Sequence, residues 1–274
     1  MNWSKLFFAL TFIVLAACNG DKNEAVFEEE EAAIFQSEEE AWQAFAVIEA
    51  ISHAAMRYSD ADAGARIAEQ SPEFNCATLN FVGNAKSGEL TIDYGDGCKG
   101  PDGKTRRGIV IVEYDGNWAQ QNTEVYTVLK DFYLDDMRIQ GSRRLTNVSL
   151  DSKSLVFTEE IINGTITWPD HSYLTRSSDM VHTLEFGNND SSFELLIEGS
   201  ASGRSRLGVN YKTEIMEPLR VKSICRLNNI YLPVSGTKSI FVAEKPTISV
   251  NYGAGQCDNK FDVSLDEASK EVAL

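Results

Sequence analysis

The chain has 274 residues, 41 acidic against 25 basic side chains, and a formal net charge of −16. Such a charge repels the phosphate backbone, so nucleic acid is excluded as an expected partner. The three histidines, His53, His171 and His182, are far apart and lack the spacing of transition-metal ligands. We therefore expect no metal site, and none of the three histidines is expected to be essential. The length allows one large domain or two small ones.

Residues 1–17 have the pattern of a lipoprotein signal peptide. Lys5 precedes an apolar run of about a dozen residues, which is shorter than the ~20 that a membrane-spanning helix needs. The run ends in Leu15-Ala-Ala-Cys18, a lipobox in which the Cys18 thiol accepts a diacylglycerol and the new N-terminus an acyl chain such as palmitate. The alternative is an ordinary signal peptide with a chance cysteine. We expect a lipid-anchored envelope protein, in the outer membrane, on either its periplasmic or its surface face.

Residues 18–36 are acidic and lack a regular apolar stripe, which indicates a tether between the lipid and the folded part. The acidic stretch is either a solvated linker or a surface-export signal. A helix is predicted from Ser37, because Glu40 completes a capping box and Ala41, Phe45 and Ile48 follow at helical spacing. The remaining domain is predicted to span residues 37–274.

From about residue 74 the sequence consists of short alternating segments rich in Val, Ile, Thr, Tyr and Phe. Turn signals separate them, including Asp115-Gly116 and Asn163-Gly164. Because no helix-length connection separates the segments, neighbouring strands must pair antiparallel. The sequence predicts a mostly β fold, either one large twisted antiparallel sheet or a β-sandwich, with one N-terminal α-helix.

An internal repeat bears on the four cysteines that remain, Cys76, Cys98, Cys225 and Cys257. Each copy has an early cysteine and then a Tyr-Gly-x-Gly turn leading to a second cysteine, at 94–98 and again at 252–257. In an exported chain an even number of cysteines indicates disulfides, and three pairings are possible. The repeat favours Cys76–Cys98 and Cys225–Cys257. Zinc binding is the alternative, although no pair has Cys-x-x-Cys spacing.

Further motifs lie between these two copies, at 141–147, 166–170 and 199–203. Together with the Tyr-Gly-x-Gly motifs they resemble uncharacterised Bacteroidetes-type lipoproteins over residues 74–264. The resemblance implies an envelope location and a β fold, and it implies no catalytic residue. The second copy departs from the family pattern, with Ala254 where the first copy has Asp96.

The sequence contains no nucleophile elbow, no phosphate-binding glycine loop and no recognisable cofactor motif. The carboxylates between Asp93 and Asp102 could either stabilise turns or bind calcium, and the spacing fits turns better. Trp118, Trp168 and Tyr173 lie at strand ends or loops, where they are candidates for ligand binding, with core packing as the alternative. We expect a non-catalytic binding or structural protein whose partner is an envelope protein or a glycan. A carrier of lipid or another apolar ligand and a glycan-active enzyme are the alternatives.

Overall fold

The computed structural model describes residues 27–58, 71–84, 86–117, 120–149, 154–186, 193–226, 230, 232–265 and 268–273. The predicted signal peptide, Cys18 and Trp118 lie outside these ranges. Within them, no helix is both long enough and apolar enough to cross a membrane.

Helix α1 spans Glu29–Tyr58, so the prediction that it begins at Ser37 was wrong. Residues 29–36 of the expected tether are helical. Ser37 is not an N-cap, because its hydroxyl donates a hydrogen bond to the Ala33 carbonyl within the helix, at 2.6 Å. Three acidic residues occupy the first turn, where negative charge is favourable at a helix N-terminus, and Ile34 is fully buried against the sheet. Tertiary packing of this turn, which the local pattern did not reveal, extends the helix.

Within the described ranges, fourteen strands follow a 3-10 turn at Pro72–Phe74. Their bounds are β1 Thr78–Gly83, β2 Ser87–Asp93, β3 Cys98–Lys99, β4 Thr105–Asp115, β5 Glu124–Leu134, β6 Met137–Asn147, β7 Leu155–Thr167, β8 Tyr173–Phe186, β9 Phe193–Arg204, β10 Asn210–Lys222, β11 Ser235–Phe241, β12 Ile248–Ala254, β13 Lys260–Leu265 and β14 Ala268–Ala273. A short helix, α2, spans Ser223–Arg226 between β10 and β11.

The strands form one antiparallel sheet in chain order, from β1 to β14, with β3 paired to β4 at its side. This confirms the mostly β prediction and its antiparallel pairing, and it selects a single sheet rather than a sandwich. Short connections keep sequential strands adjacent, because the chain between them is too short for a crossover.

Several strand boundaries differ from the sequence pattern. The Asn163-Gly164 turn signal lies inside β7, where Asn163 has φ 53° and the register with β8 shifts between Ile161 and Gly164. This is a β-bulge, which uses the same positive-φ residues as a turn while the strand continues. Strands β1, β3 and β14 were not predicted.

Helix α1 lies on the inner face of the sheet and contributes to two clusters of buried apolar side chains. Its C-terminal part, including Phe45 and Ile51, packs on strands up to β8. Ile34 and Trp42 pack on strands from β8 onward. The helix therefore covers apolar surface on both halves of the sheet, and burial of that surface is the main stabilising term.

Both predicted disulfides are present, Cys76–Cys98 and Cys225–Cys257, with Cα atoms 5.7 and 5.4 Å apart. Each closes a Tyr-Gly turn at the end of a strand, with Gly95 at φ 58° and Gly253 at φ 84°. The positive φ explains the glycine at these positions. Closing loops of this size stabilises the fold by roughly 3–4 kcal/mol each.

The sheet has two ends. The entry end carries the connections after β5, β7, β9 and β11, and the far end carries those after β1, β4, β6 and β10. Helix α1 begins at the entry end, where Lys245 in the β11–β12 connection lies 3.6 Å from carboxylate oxygens of both Glu28 and Glu30. The chain thus joins the folded part at this end.

Candidate binding surfaces and a buried polar cluster

A cluster of ionisable side chains is buried between α1 and the sheet. Its members come from the helix and from strands β6, β7, β8 and β11, and none is more than 6% exposed: Glu38, Glu39, Arg143, Glu159, Arg176, His182 and Lys238. A charge removed from water requires a nearby partner, and each of these side chains has one.

Glu38 holds the helix to two strands. One carboxylate oxygen accepts a hydrogen bond from Arg176 Nη1 at 2.5 Å, and the other lies 3.4 Å from Lys238 Nζ. Lys238 also lies 2.7 Å from Glu39, which accepts a hydrogen bond from the Tyr252 hydroxyl. Desolvation opposes ionisation of Glu38, but the charges of Arg176 and Lys238 outweigh it and lower the pKa of this carboxyl.

Glu159 joins Arg143 and His182 on the two neighbouring strands. It accepts a hydrogen bond from Arg143 Nε at 2.6 Å and pairs with His182 Nε2 at 2.8 Å. Burial raises the pKa of Glu159, and the adjacent Arg143 and His182 lower it by more, so the net direction is downward. His182 is therefore buried on the core-facing side of β8, with a carboxylate as its partner.

A cavity of about 30 Å³ lies beside this cluster. Its lining includes Trp42, Ser178 and His182, whose Nε1, Oγ and Nδ1 atoms have no hydrogen-bond partner in the described part of the chain. A polar cavity of this size accommodates about one water molecule. It is far too small for an acyl chain.

The polar cluster was not predicted, although the sequence carries a weak signal for it. Arg176, Ser178 and His182 occupy alternate positions of β8 with Leu174 and Met180, the phase that faces the core. When polar residues occupy the core-facing positions of a strand, they indicate that polar partners are buried beside them. The partners themselves, such as Glu38, 138 residues from Arg176 in the chain, were not predictable from local spacing.

Two of the predicted ligand-binding residues meet at the entry end, in a surface that we call the turn patch: Trp168, Tyr173, Arg204, Arg206 and Leu207. The Arg206 guanidinium lies over the Trp168 ring, 4.2 Å from its centroid, and Arg204 donates a hydrogen bond to the Tyr173 hydroxyl at 2.9 Å. Tyr173 is 44% exposed and Leu207 56% exposed. Trp168 is partly buried and packs on the core, whereas Tyr173 and Leu207 face solvent.

Arg206 fixes the two turns of the patch to each other. It donates hydrogen bonds to Ser172 Oγ at 2.7 Å and to Asp170 Oδ2 at 3.2 Å in the β7–β8 turn. The backbone N–H of Arg206 donates to Ser37 of α1. Hydrogen bonds from Ser172, with a smaller contribution from Arg206, lower the pKa of Asp170. The patch is consequently preorganised by contacts within the chain.

An acidic groove of about 580 Å³ lies at the far end, on the outer face of β2, β4 and β5. Glu89 is directly opposite Glu113, and Asp115 is directly opposite Glu124. Opposed like charges destabilise a sheet by up to about 1 kcal/mol per pair. In the described ranges, no lysine or arginine lies within ion-pair distance of these four carboxylates.

The groove also has apolar walls. Val82 is 64% exposed at its rim, and the Tyr126 ring forms part of its lining, with the Tyr126 hydroxyl donating to Ser142 at 2.9 Å. Among the described residues, no group of three or more His, Cys, Asp or Glu side chains is arranged to hold a metal ion. The carboxylates at 93 and 102 take part in turns instead, Asp93 with Gly95 N and Asp102 with Arg106.

No protein-family model, curated protein or solved structure matches this chain. The resemblance to Bacteroidetes-type lipoproteins therefore remains a prediction from the sequence motifs.

Proposed function

We propose that the protein is a lipid-anchored, non-catalytic binding protein of the cell envelope, and that its acidic groove receives a cationic segment of another envelope protein. The observation that carries the proposal is the pairing of like charges in the groove, Glu89 with Glu113 and Asp115 with Glu124. Repulsion between these carboxylates lowers the stability of the folded protein, and a bound cationic partner would remove the repulsion.

The dimensions and lining of the groove suit such a partner. Its volume of about 580 Å³ falls within the roughly 300–1,000 Å³ range of ligand pockets. Lysine and arginine have long apolar stems, which would lie against Val82 and the Tyr126 ring while their charged ends meet the carboxylates. The position at the far end leaves the groove accessible when the entry end is tethered.

The interior argues against the carrier alternative. The cavity between α1 and the sheet has room for about one water molecule, and buried ion pairs fasten the helix over it. A bound lipid would require displacing Glu38 from Arg176, which leaves buried charges without partners. Binding at the outer surface requires no such rearrangement.

The groove is tested with a hexalysine peptide as the probe, by fluorescence anisotropy at low and at physiological salt. The variant Glu113→Gln/Glu124→Gln neutralises one member of each opposed pair. The matched control Glu198→Gln/Glu217→Gln removes two exposed carboxylates elsewhere and makes the same change in net charge. We expect affinity to fall about five- to tenfold in the groove variant, as for the loss of two favourable ion pairs, and to change little in the control.

The same variants give an independent readout of stability. Removing two like-charge repulsions should stabilise the groove variant by up to about 1 kcal/mol per pair, while the control remains near the wild-type value. Equal losses of affinity in the two variants would mean that only bulk charge attracts the peptide, and the groove would be rejected as the binding surface.

The anchor is tested by Cys18→Ala, which removes the acylated thiol. We expect the variant to move from the membrane fraction to the soluble fraction, because the acyl chains supply the proposed membrane attachment. Detergent-dependent membrane association that persists in the variant would contradict lipidation at Cys18.

A further inference from the structure

The turn patch and the point where the chain joins the folded part lie at the same end of the sheet. Lys245, which pairs with Glu28 and Glu30, is in the connection after β11, and Arg206 and Leu207 are in the connection after β9. Connections two strands apart in a sheet are separated by about 10 Å. Arg206 also contacts α1 directly at Ser37, about 13 Å along the helix from its first residues.

The length of chain before the helix limits how far this end can lie from an anchored Cys18. Eight residues, 19–26, separate Cys18 from the described residues. Even fully extended, they span about 28 Å. An anchor at Cys18 would therefore keep the entry end, which includes the turn patch, within about 28 Å of the bilayer.

The side chains of the patch suit the boundary between headgroups and acyl chains. Tyrosine and tryptophan are enriched at that depth because they have an apolar body and a polar edge, and arginine reaches outward to phosphate. Leu207, at 56% exposure, projects from the tip of the β9–β10 turn beside exposed Tyr173 and Arg204. Although the chain has a net charge of −16, these residues place apolar and cationic groups at the entry end, which the tether from Cys18 reaches.

We propose that the turn patch rests on the bilayer surface and orients the protein, with Leu207 and Tyr173 at the acyl boundary and Arg204 at the lipid phosphates. This inference rests on the proposed anchor at Cys18. The lipid class that it fits is zwitterionic, because the net negative charge of the protein disfavours anionic headgroups. The acidic groove at the far end would then point away from the membrane.

The test places a fluorescent probe in the patch of the lipidated full chain. Leu207→Trp adds an indole at the turn tip. Met216→Trp adds one at a matched position on the outer face of β10, where the native side chain is 59% exposed. Both proteins are reconstituted in phosphatidylcholine vesicles with either plain or brominated acyl chains, and bromine quenches indoles that lie at the acyl boundary.

We expect brominated vesicles to quench the added emission of Leu207→Trp by about twofold or more, as for a side chain ~5–10 Å into the boundary region. The added emission of Met216→Trp should not change. Equal quenching of both probes, or of neither, would overturn the inference. A patch that binds a soluble glycan or a protein instead of lipid would also give no quenching.

Co-sedimentation with the same vesicles separates this inference from the anchor proposal. Lipidated protein that sediments with vesicles but shows an unquenched Leu207→Trp probe refutes the patch and leaves the anchor intact. Quenching that persists in Cys18→Ala supports the patch as a lipid contact in its own right, and the fractionation of native protein against Cys18→Ala remains the test of the anchor. If neither protein sediments with vesicles, both proposals are rejected.

Discussion

Replacing Arg176 by methionine tests whether buried ion pairs fasten α1 to the sheet. The change removes the guanidinium 2.5 Å from Glu38, whose side chain is fully buried. The remaining cation, Lys238, lies 3.4 Å from Glu38 and is shared with Glu39 at 2.7 Å, so two carboxylates are left with one positive charge. Breaking a buried pair in this way costs about 3–5 kcal/mol. For a chain of this size, that corresponds to a decrease in Tm of roughly 10 °C.

The assay is urea unfolding of the disulfide-bonded protein, followed by circular dichroism, with two comparison variants. Arg144→Met breaks an exposed pair with Glu160, in which both side chains are 43% exposed, and should cost less than about 1 kcal/mol. Glu38→Met/Arg176→Met removes both charges and should recover most of the stability, since Lys238 and Glu39 remain paired. The reasoning is wrong if Arg176→Met costs no more than Arg144→Met, or if the double variant is less stable than Arg176→Met.

Acid should destabilise the fold, because the pKa of Glu38 and of Glu159 is lowered from the usual 4.5 by their cationic partners. Their ionised forms contribute fully to the free energy of unfolding above about pH 4.5, and this contribution is lost as the pH falls towards the lower pKa values of the folded state. Urea unfolding between pH 3 and 7 should therefore show that the wild-type protein loses stability with acid more steeply than Glu159→Gln. Gly108→Ala should destabilise by several kcal/mol, because φ is +84° and a Cβ would lie 2.0 Å from the Asp131 carbonyl oxygen. Gly95→Ala should lower the free energy of unfolding by only about 1 kcal/mol, because no atom lies within 4 Å of the added Cβ. Similar unfolding midpoints for the two alanine variants would contradict this explanation.

The sequence predicted those features of the fold that depend on residues close together in the chain. Alternating apolar segments with short connections were sufficient to predict a mostly β, antiparallel fold, because sequential strands joined by short turns have few other ways to pair. The two copies of the Tyr-Gly-x-Gly motif correctly indicated both disulfides. The Asn163-Gly164 signal failed because a bulge and a hairpin turn need the same positive-φ backbone, and only pairing with β8 distinguishes them.

The candidate surfaces were predicted only in part. Trp168 and Tyr173 were chosen as residues at strand ends, and they lie together because they flank the single turn between β7 and β8. The arginines at 204 and 206 join them because the connections after β7 and β9 leave the same end of the sheet. Arg204 and Arg206 were not predicted, since nothing in the local sequence separates them from other surface arginines. The acidic groove depends on the cross-strand register, which sets Glu89 opposite Glu113 and is not visible in any one strand.

By itself the sequence determined the fold class and the cysteine pairing, which follow from local periodicity, composition and short motifs, while the anchor at Cys18 stays a prediction from its motif. Tertiary structure alone decided where α1 begins, which charges are buried and which surfaces exist. The physical reason is that each of these depends on partners distant in the chain: Ile34 is buried by strands more than 100 residues away, and Glu38 can remain charged in the interior only because β8 and β11 bring Arg176 and Lys238 to it.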